Sequence, residues 1–213
     1  MTFEFKPAVR ENVKLLIGLA GASGAGKTKS ALELATGLSP SGKIGFLDTE
    51  ARRGLHYASE YRFFHSDMRP PFGPERFTDG IKSAEDAGME VCIIDSASHE
   101  YDGEGGIMEL ADQLAEGTPK PGIENPRKPS EPDGWRDWLV KPVTSPGNWK
   151  EPKLAHKKMM NSLLQARCHI IFCLRADEKI RIMKPGDEMP DGSKARKTEI
   201  IPMGWVPICE KRF

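Results

Sequence analysis

The sequence is poor in several features, and each deficit argues against a class of protein. It has no net charge, because 31 Lys and Arg balance 31 Asp and Glu. Whole-chain electrostatics therefore give no indication of nucleic-acid binding, although a local basic groove is compatible with neutrality. No apolar run is long enough to cross a bilayer, and the N-terminus lacks a signal-peptide core. We expect a chain without membrane segments and a cytoplasmic location.

Cysteine is scarce as well. The four cysteines form no CxxC pair and have no histidine at zinc-ligand spacing. Cys92, Cys168 and Cys173 lie in or beside apolar runs, which is typical of reduced thiols in the core of a cytosolic protein. The sequence therefore predicts neither a zinc site nor a disulfide framework.

Apolar runs of strand length alternate with segments of helical periodicity. The predicted strands are 14–20, 44–48, 62–65, 91–95 and 170–174. The predicted helices are 28–38, one that begins at Pro74, one marked by Ile107 and Leu110, and 154–167. This alternation predicts a mostly parallel sheet covered on both faces. We therefore predict a single three-layer α/β domain over residues 1–213.

Two stretches interrupt the alternation. Residues 117–153 hold eight of the seventeen prolines together with Trp135, Trp138 and Trp149. We interpret this stretch as an insertion that is either functional or without fixed structure. Residues 179–201 predict a C-terminal β-hairpin, because two apolar runs flank a Pro-Gly-Asp…Asp-Gly turn region. The sequence ends on the strand-like VPICEKRF, so we expect a longer protein beyond Phe213.

The most specific motif is GASGAGKT, which fits the P-loop pattern G-x-x-x-x-G-K-[ST] without a mismatch. It lies between a predicted buried strand and a predicted helix, as a P-loop must. The glycines let backbone N–H groups turn toward phosphate, and the helix dipole adds positive potential. We expect Lys27 to contact the β- and γ-phosphates of ATP and Thr28 to ligate Mg²⁺. The predicted nucleotide-binding residues are Gly21, Ala22, Ser23, Gly24, Ala25, Gly26, Lys27 and Thr28.

Acidic residues follow two of the other predicted strands. Asp95 ends the run VCIID and is the candidate Mg²⁺ acid. Glu50, two residues after Asp48, is the candidate general base, because the carboxyl ends of parallel strands gather at the ligand crevice. The Asp48–Glu50 pair is also compatible with a helix-capping role. His99 and Glu100 are rival bases, and they are equally compatible with a solvated loop.

The order of these motifs resembles that of the RecA-like recombinase ATPases. FLDTEARRGLHYA follows the loop helix where that family has its strand-end acid and catalytic glutamate, and MEVCIIDSAS has the Asp-Ser ending of its second nucleotide-binding strand. HKKMMNSLLQARCHIIFCLRADEKIRI is similar to the helix, the sensor strand and the start of the second DNA loop. The resemblance covers residues 12–98 and 154–182, and the compact size is closest to phage nucleotide-binding proteins such as the Sak-type single-strand annealing recombinases.

The resemblance implies Glu50 as catalytic glutamate, Asp95 as the Walker B acid and Arg175 at the sensor position. RecA itself has a glutamine at the sensor position, so Arg175 or Lys179 is instead a candidate for reaching a γ-phosphate. The resemblance also implies a homo-oligomer that acts on single-stranded DNA in phage recombination or replication, in the host cytoplasm. A basic ribbon can track a phosphate backbone or simply be solvated. The candidate DNA contacts are Lys179, Arg181, Lys194, Arg196 and Lys197.

Two other functions remain open at the level of sequence. A P-loop kinase could use Asp48, Arg52 and Arg53 as the site for a small acceptor. A nucleotide-gated binding protein with little turnover would explain an arginine at the sensor position.

Overall fold

Strands and helices alternate along the chain in the computed structural model, which describes residues 7, 13–117, 146–188, 193–194 and 198–207. The strands are β1 (Leu16–Gly21), β2 (Ile44–Asp48), β3 (Phe64–Asp67), β4 (Val91–Asp95), β5 (His169–Met183) and β6 (Glu199–Pro207). The helices are α1 (Lys27–Leu38), α2 (Pro74–Asp86), α3 (His99–Asp102), α4 (Ile107–Gly117) and α5 (Lys150–Leu164). Short 3-10 helices span Arg53–Tyr57 and Pro146–Trp149.

The first five strands form a parallel sheet in the order β1-β5-β4-β2-β3. The predicted α/β class with a mostly parallel sheet is therefore confirmed. All five strands run in the same direction, so the loops that leave β1, β2 and β4 emerge at one edge of the sheet.

Helices cover both faces of this sheet, because the side chains of the central strands alternate between two apolar clusters. Val91 and Ile93 of β4 pack with α1, whereas Cys92 and Ile94 pack in the cluster that includes α2 and α5. In α1 the buried residues are Ala31, Leu32 and Ala35. The helical spacing predicts Leu34 on the same buried face as Ala31 and Ala35, but Leu34 is 41% exposed, because the buried face is the one that carries Leu32.

Two predicted boundaries move. β5 continues from the predicted end, Leu174, to Met183, and so includes residues that the sequence analysis assigns to the hairpin. Its second half pairs antiparallel with β6 from Ala176↔Pro207 to Met183↔Glu199. α5 begins at Lys150 rather than at 154, so part of the predicted insertion is helical. Pro152 fits there because the first turn of a helix needs no intrahelical acceptor for its N–H groups.

Some sequence predictions fall on residues outside the described ranges. They include most of the insertion, 118–145, and parts of the predicted turn of the hairpin, 189–192 and 195–197. Cys92, Cys168 and Cys173 are buried and free, as expected for core thiols. Across the described part of the chain, no helix is both long and apolar enough to span a membrane.

Candidate functional site

The carboxyl edge of the sheet brings together residues that are far apart in the sequence. In the strand register Gly21 lies opposite Arg175, and Asp48 lies opposite Asp95. A pocket of about 230 Å³ opens at this edge. It is lined by Ser23, Gly24, Gly26, Lys27, Thr28, Asp48, Glu50, Asp95 and Arg175, together with residues of the 3-10 helix that begins at Arg53.

The P-loop backbone requires glycine at two positions. Gly24 and Gly26 have φ angles of 78° and 82°, in the left-handed region that other residues rarely adopt. A Cβ atom at either position would meet nothing within 4 Å, so the constraint is backbone conformation rather than space. Gly26 directly precedes α1, so the loop delivers the chain to a helix N-terminus at the pocket. Such an arrangement favours an anion.

The Lys27 side chain folds back over the loop. Its Nζ donates hydrogen bonds to the carbonyl oxygens of Gly21, at 2.9 Å, and Ala22, at 2.8 Å. The ammonium is thereby held at the wall of the pocket, next to the exposed loop residues. A phosphate group in the pocket would lie within the field of this cation.

Thr28 and Asp95 also line the pocket and are joined by a hydrogen bond. The Thr28 hydroxyl donates to Asp95 Oδ2 at 2.6 Å. Asp95 is 7% exposed, and burial raises the pKa of its carboxyl above the usual range. The nearby Glu50 and Asp48 also raise this pKa, whereas the hydrogen bond from Thr28 and the charge of Lys27 lower it. A cation between Thr28 and Asp95 would offset the cost of burying the charged carboxylate.

Glu50 and Asp48 differ in their surroundings although they are two residues apart. The Asp48 side chain is buried, and its oxygens accept the backbone N–H groups of Glu50 and Gly54, each at 2.8 Å. The Glu50 carboxylate lines the pocket and accepts a hydrogen bond from Arg53 Nη1 at 2.9 Å. Asp48 thus caps the following turn, as the capping interpretation of this pair suggests, and Glu50 is presented to the pocket.

The rival bases lie in α3, which the sequence analysis did not predict. His99 Nδ1 lies 2.7 Å from Thr49 Oγ1, and its ring stacks on Phe72. Burial, with the charge of Arg175, lowers the pKa of His99. Glu100 is 4% exposed and lies 3.0 Å from His156 Nδ1, so its solvated-loop interpretation is wrong. Neither His99 nor Glu100 is among the described residues that line the 230 Å³ pocket with Lys27 and Glu50.

Arg175 lies at the mouth of the pocket. Its Nη2 donates to the two carboxylate oxygens of Asp102, at 2.9 and 3.2 Å, and its backbone N–H donates to Ser98 Oγ. Its Nε is buried and has no hydrogen-bond partner among the residues that the structure describes.

The candidate DNA-contact residues are less completely described. Lys179 and Arg181 belong to the part of β5 that pairs with β6, but only their backbone is described. Lys194 is exposed and bridges to Glu188 through the backbone. Arg196 and Lys197 lie outside the described residues, as do Trp135 and Trp138. The DNA assignment therefore stays a prediction.

The donors around the pocket fit a magnesium nucleotide. The chain offers a glycine loop, a helix N-terminus and a lysine for phosphates, and a hydroxyl–carboxylate pair for a hard cation. Mg²⁺ is commonly held by one or two carboxylates together with substrate phosphates. In the described ranges no three His, Cys, Asp or Glu side chains converge to form a metal site. No family model matches the chain, and no curated protein is significantly similar to it.

Proposed function

We propose that this protein binds ATP with Mg²⁺ at residues 21–28 and hydrolyses it. The observation that carries the proposal is the single pocket of about 230 Å³ that contains Lys27, Thr28, Asp95 and Glu50. These are the residue types that phosphoryl transfer to water requires: a phosphate-binding cation, two oxygen ligands for Mg²⁺ and a base.

Each side chain has a distinct role in the proposed reaction. Glu50 orients a water molecule and takes its proton as the water oxygen forms a bond to the γ-phosphorus. The bond from that phosphorus to the β–γ bridging oxygen breaks, which gives ADP and phosphate. Lys27 and Arg175 stabilise the negative charge that develops on the phosphate oxygens. Thr28 and Asp95 would hold Mg²⁺, which would supply further neutralisation of the phosphate charge.

The surroundings of Asp48 favour hydrolysis over transfer to a small acceptor. A kinase would need a carboxylate that can accept a proton from the acceptor hydroxyl. Asp48 has two backbone N–H groups on its carboxylate and is fully buried, whereas Glu50 faces the pocket. Arg53, suggested for the acceptor site together with Asp48 and Arg52, forms an ion pair with Glu50. The carboxylate best placed for proton transfer is therefore the one suited to activating water.

We further propose that the protein is a RecA-like ATPase that acts as a homo-oligomer on single-stranded DNA in phage recombination or replication. The order of motifs described above supports the family. The path of β5 supports the coupling, because the strand carries Arg175 at the pocket and joins β6 from Ala176 onward. The basic residues between 179 and 197 would thus follow shortly after Arg175, the pocket residue proposed to stabilise the γ-phosphate.

Glu50→Gln tests the proposed function. The amide keeps the size of the side chain but cannot take a proton, so MgATP binding should survive. Turnover should fall by roughly two to four orders of magnitude, the range for a lost general base. Phosphate release would be measured with and without single-stranded DNA. Glu75→Gln is the matched control, since Glu75 is exposed in the first turn of α2 and should leave turnover unchanged.

Three results would count against this assignment. Phosphate transfer to an added small acceptor, with little release to water, would favour a kinase. Tight MgATP binding by the wild type without turnover would favour a nucleotide-gated binding protein. Loss of turnover in His99 or Glu100 variants, but not in Glu50→Gln, would assign the base to α3.

A further inference from the structure

Asp48 carries more hydrogen bonds than a capping role requires. Its Oδ1 accepts the N–H of Glu50, and its Oδ2 accepts the N–H of Gly54. A third group, Nε2 of His65, lies 3.1 Å from Oδ2. Both Asp48 oxygens already accept backbone N–H groups, so this contact is a hydrogen bond when Nε2 carries the ring proton and donates it. The donor comes from β3, the neighbouring strand, and lies outside the turn that the carboxylate holds.

The pair is enclosed by the protein. The side chains of Asp48 and His65 are 1% and 14% exposed, and the imidazole stacks on Phe46 with an interplanar angle of 17°. In the β2–β3 register His65 lies opposite Phe46, two residues before Asp48. A hydrogen bond to a carboxylate in such a place is stronger than one in water. The ring has therefore little freedom to leave the carboxylate.

The turn that Asp48 anchors is conformationally demanding. Ala51 and Arg52, the two residues after Glu50, have φ angles of 53° and 69°, which non-glycine residues adopt only when the surroundings impose them. Gly54 closes the turn so tightly that a Cβ atom there would lie 2.6 Å from Phe46 and 3.0 Å from Asp48 Oδ2. The two Asp48 oxygens thus fix the two ends of a strained turn that presents Glu50 to the pocket.

We propose that His65 is a positioning residue for the hydrolytic reaction: it orients the Asp48 carboxylate, which in turn holds the Glu50 turn in its strained conformation. The inference rests on the proposed function for its catalytic part, but its structural part is independent of any activity. Without the imidazole donor, the Asp48 side chain can rotate and weaken its bonds to both ends of the turn. Glu50 then spends less time oriented toward the attacking water.

The structural part is tested first, on the wild type, by NMR of histidine ring nitrogens. His65 should carry its proton on Nε2, with a ring N–H that exchanges slowly with water. A proton on Nδ1, or a ring nitrogen in rapid exchange, would overturn the proposal without recourse to a variant.

Amide exchange then measures the coupling to the turn. His65→Phe keeps a ring against Phe46 but removes the donor, whereas His65→Gln offers an amide N–H₂ for the same bond. Exchange of the Glu50 and Gly54 amides should accelerate about tenfold or more in His65→Phe, which corresponds to roughly 1.4 kcal/mol of lost protection. His65→Gln should restore slow exchange. Equal exchange in all three proteins would contradict the proposal.

A double-mutant cycle tests the catalytic part. His65→Phe should lower kcat by about 10- to 100-fold with little change in KM, as expected for a misplaced base, and His65→Gln should recover most of the loss. In a Glu50→Gln background, His65→Phe should have no further effect on kcat, because the group it positions is already gone. An additive loss would mean that His65 acts on the fold generally. A wild type without turnover removes the proposed function, and the NMR and exchange results still decide the positioning role.

Discussion

The Lys27 ammonium lines the pocket and is held there by hydrogen bonds to carbonyl groups of its own loop. Its replacement should therefore affect nucleotide binding more than the fold. Lys27→Ala should abolish hydrolysis and weaken MgATP binding by roughly 10- to 100-fold, the range for one or two lost hydrogen bonds to a charged group. The fold should persist, because α1 packs through Ala31, Leu32 and Ala35. Calorimetric titration with MgATP would measure the affinity.

Lys29, two residues further along α1, is the matched control, because it carries the same charge but lies outside the pocket. Lys29 is 56% exposed and faces Glu60 at 3.7 Å, outside the pocket lining. Lys29→Ala should therefore bind MgATP like the wild type. Equal affinities for Lys27→Ala and the wild type would remove the nucleotide assignment altogether.

Asp95 gives a prediction with a defined pH dependence. Burial raises its pKa above the ordinary value of 3.8, so the folded chain holds this proton more tightly than the unfolded chain. Protonated Asp95 therefore adds to the free energy of unfolding. This contribution is fully present below pH 3.8 and is lost as the pH rises through the raised pKa of the folded state. Asp95→Asn removes that loss. Without Mg²⁺ and nucleotide, the Tm of Asp95→Asn should exceed that of the wild type at neutral pH, and the difference should shrink on acidification.

Thermal unfolding from mildly acidic to neutral pH measures this difference. Each kcal/mol is worth about 2–4 °C in a chain of this size. Asp86→Asn, at an exposed position of α2, should follow the wild type at every pH. With MgATP added, the wild type should have the higher Tm, because the ionised Asp95 carboxylate then has Mg²⁺ as a partner and is no longer an unpaired buried charge. A lower Tm for Asp95→Asn at neutral pH without MgATP would contradict the burial argument.

At the scale of secondary-structure elements, the short helix α3 contacts three other parts of the molecule, although it has only four residues. His99 reaches Thr49 beside the Glu50 turn, Glu100 reaches His156 in α5, and Asp102 reaches Arg175 at the pocket. A helix of one turn has little stability of its own. These three side-chain contacts therefore help to fix its position: two join it to residues in or beside the pocket lining, and one joins it to α5.

The contacts of α3 should differ in their effect on stability. Glu100→Ala removes a hydrogen-bond partner from His156, which is 8% exposed, and should cost about 1–3 kcal/mol. Asp102→Ala breaks a pair whose side chains are 28% and 35% exposed, and should cost about 0–1 kcal/mol. Urea unfolding of both variants gives the comparison. A greater loss in Asp102→Ala would mean that the Arg175 contact, rather than the buried pair, holds α3.

The elements that the sequence predicts well are those whose signal is local. The β2 and β4 boundaries, Ile44–Asp48 and Val91–Asp95, coincide with the prediction because each is a continuous apolar run that ends in an aspartate. The P-loop follows a strand and leads into α1, as its motif demands. The sequence analysis treats 170–174 and the hairpin run after 179 as separate strands, because Asp177 and Glu178 between them carry no local strand signal. The structure joins both in β5, whose antiparallel partner begins sixteen residues after Met183, at Glu199.

The candidate site shows the same division between local and long-range information. Lys27, Thr28, Asp95, Glu50 and Arg175 are recognisable from motif and strand-end position, and they line one pocket. The capping role of Asp48 is suggested by the sequence, but its contact with His65 and that of Glu100 with His156 are not, because these histidines lie 17 and 56 residues away. A histidine in a strand carries no mark of the carboxylate that it will meet. Sequence alone therefore predicts the residues that line the candidate site better than the contacts that hold them in place.

At the scale of the whole molecule, electrical neutrality and proposed DNA binding must be reconciled. The chain has equal numbers of acidic and basic residues, so any attraction for a polyanion must be local. Six basic residues fall between 179 and 197, directly after the strand residue that lines the pocket. DNA binding through such a short basic segment should depend strongly on salt concentration, because each contact with a phosphate releases counterions.

Replacement of Arg181, Lys194 and Arg196 by alanine tests this segment. Each lost phosphate contact should reduce the magnitude of the log–log salt slope by about 0.7 for single strands. The triple variant should thus bind a poly-dT oligonucleotide more weakly, with a flatter salt dependence and without DNA stimulation of hydrolysis. MgATP affinity should survive, since none of the three residues belongs to the P-loop. Anisotropy titrations at several salt concentrations measure the slope, with Arg69, Lys82 and Arg167, all exposed, replaced together as the matched control. If the wild type fails to bind at low salt with MgATP present, the protein does not act on DNA through this segment.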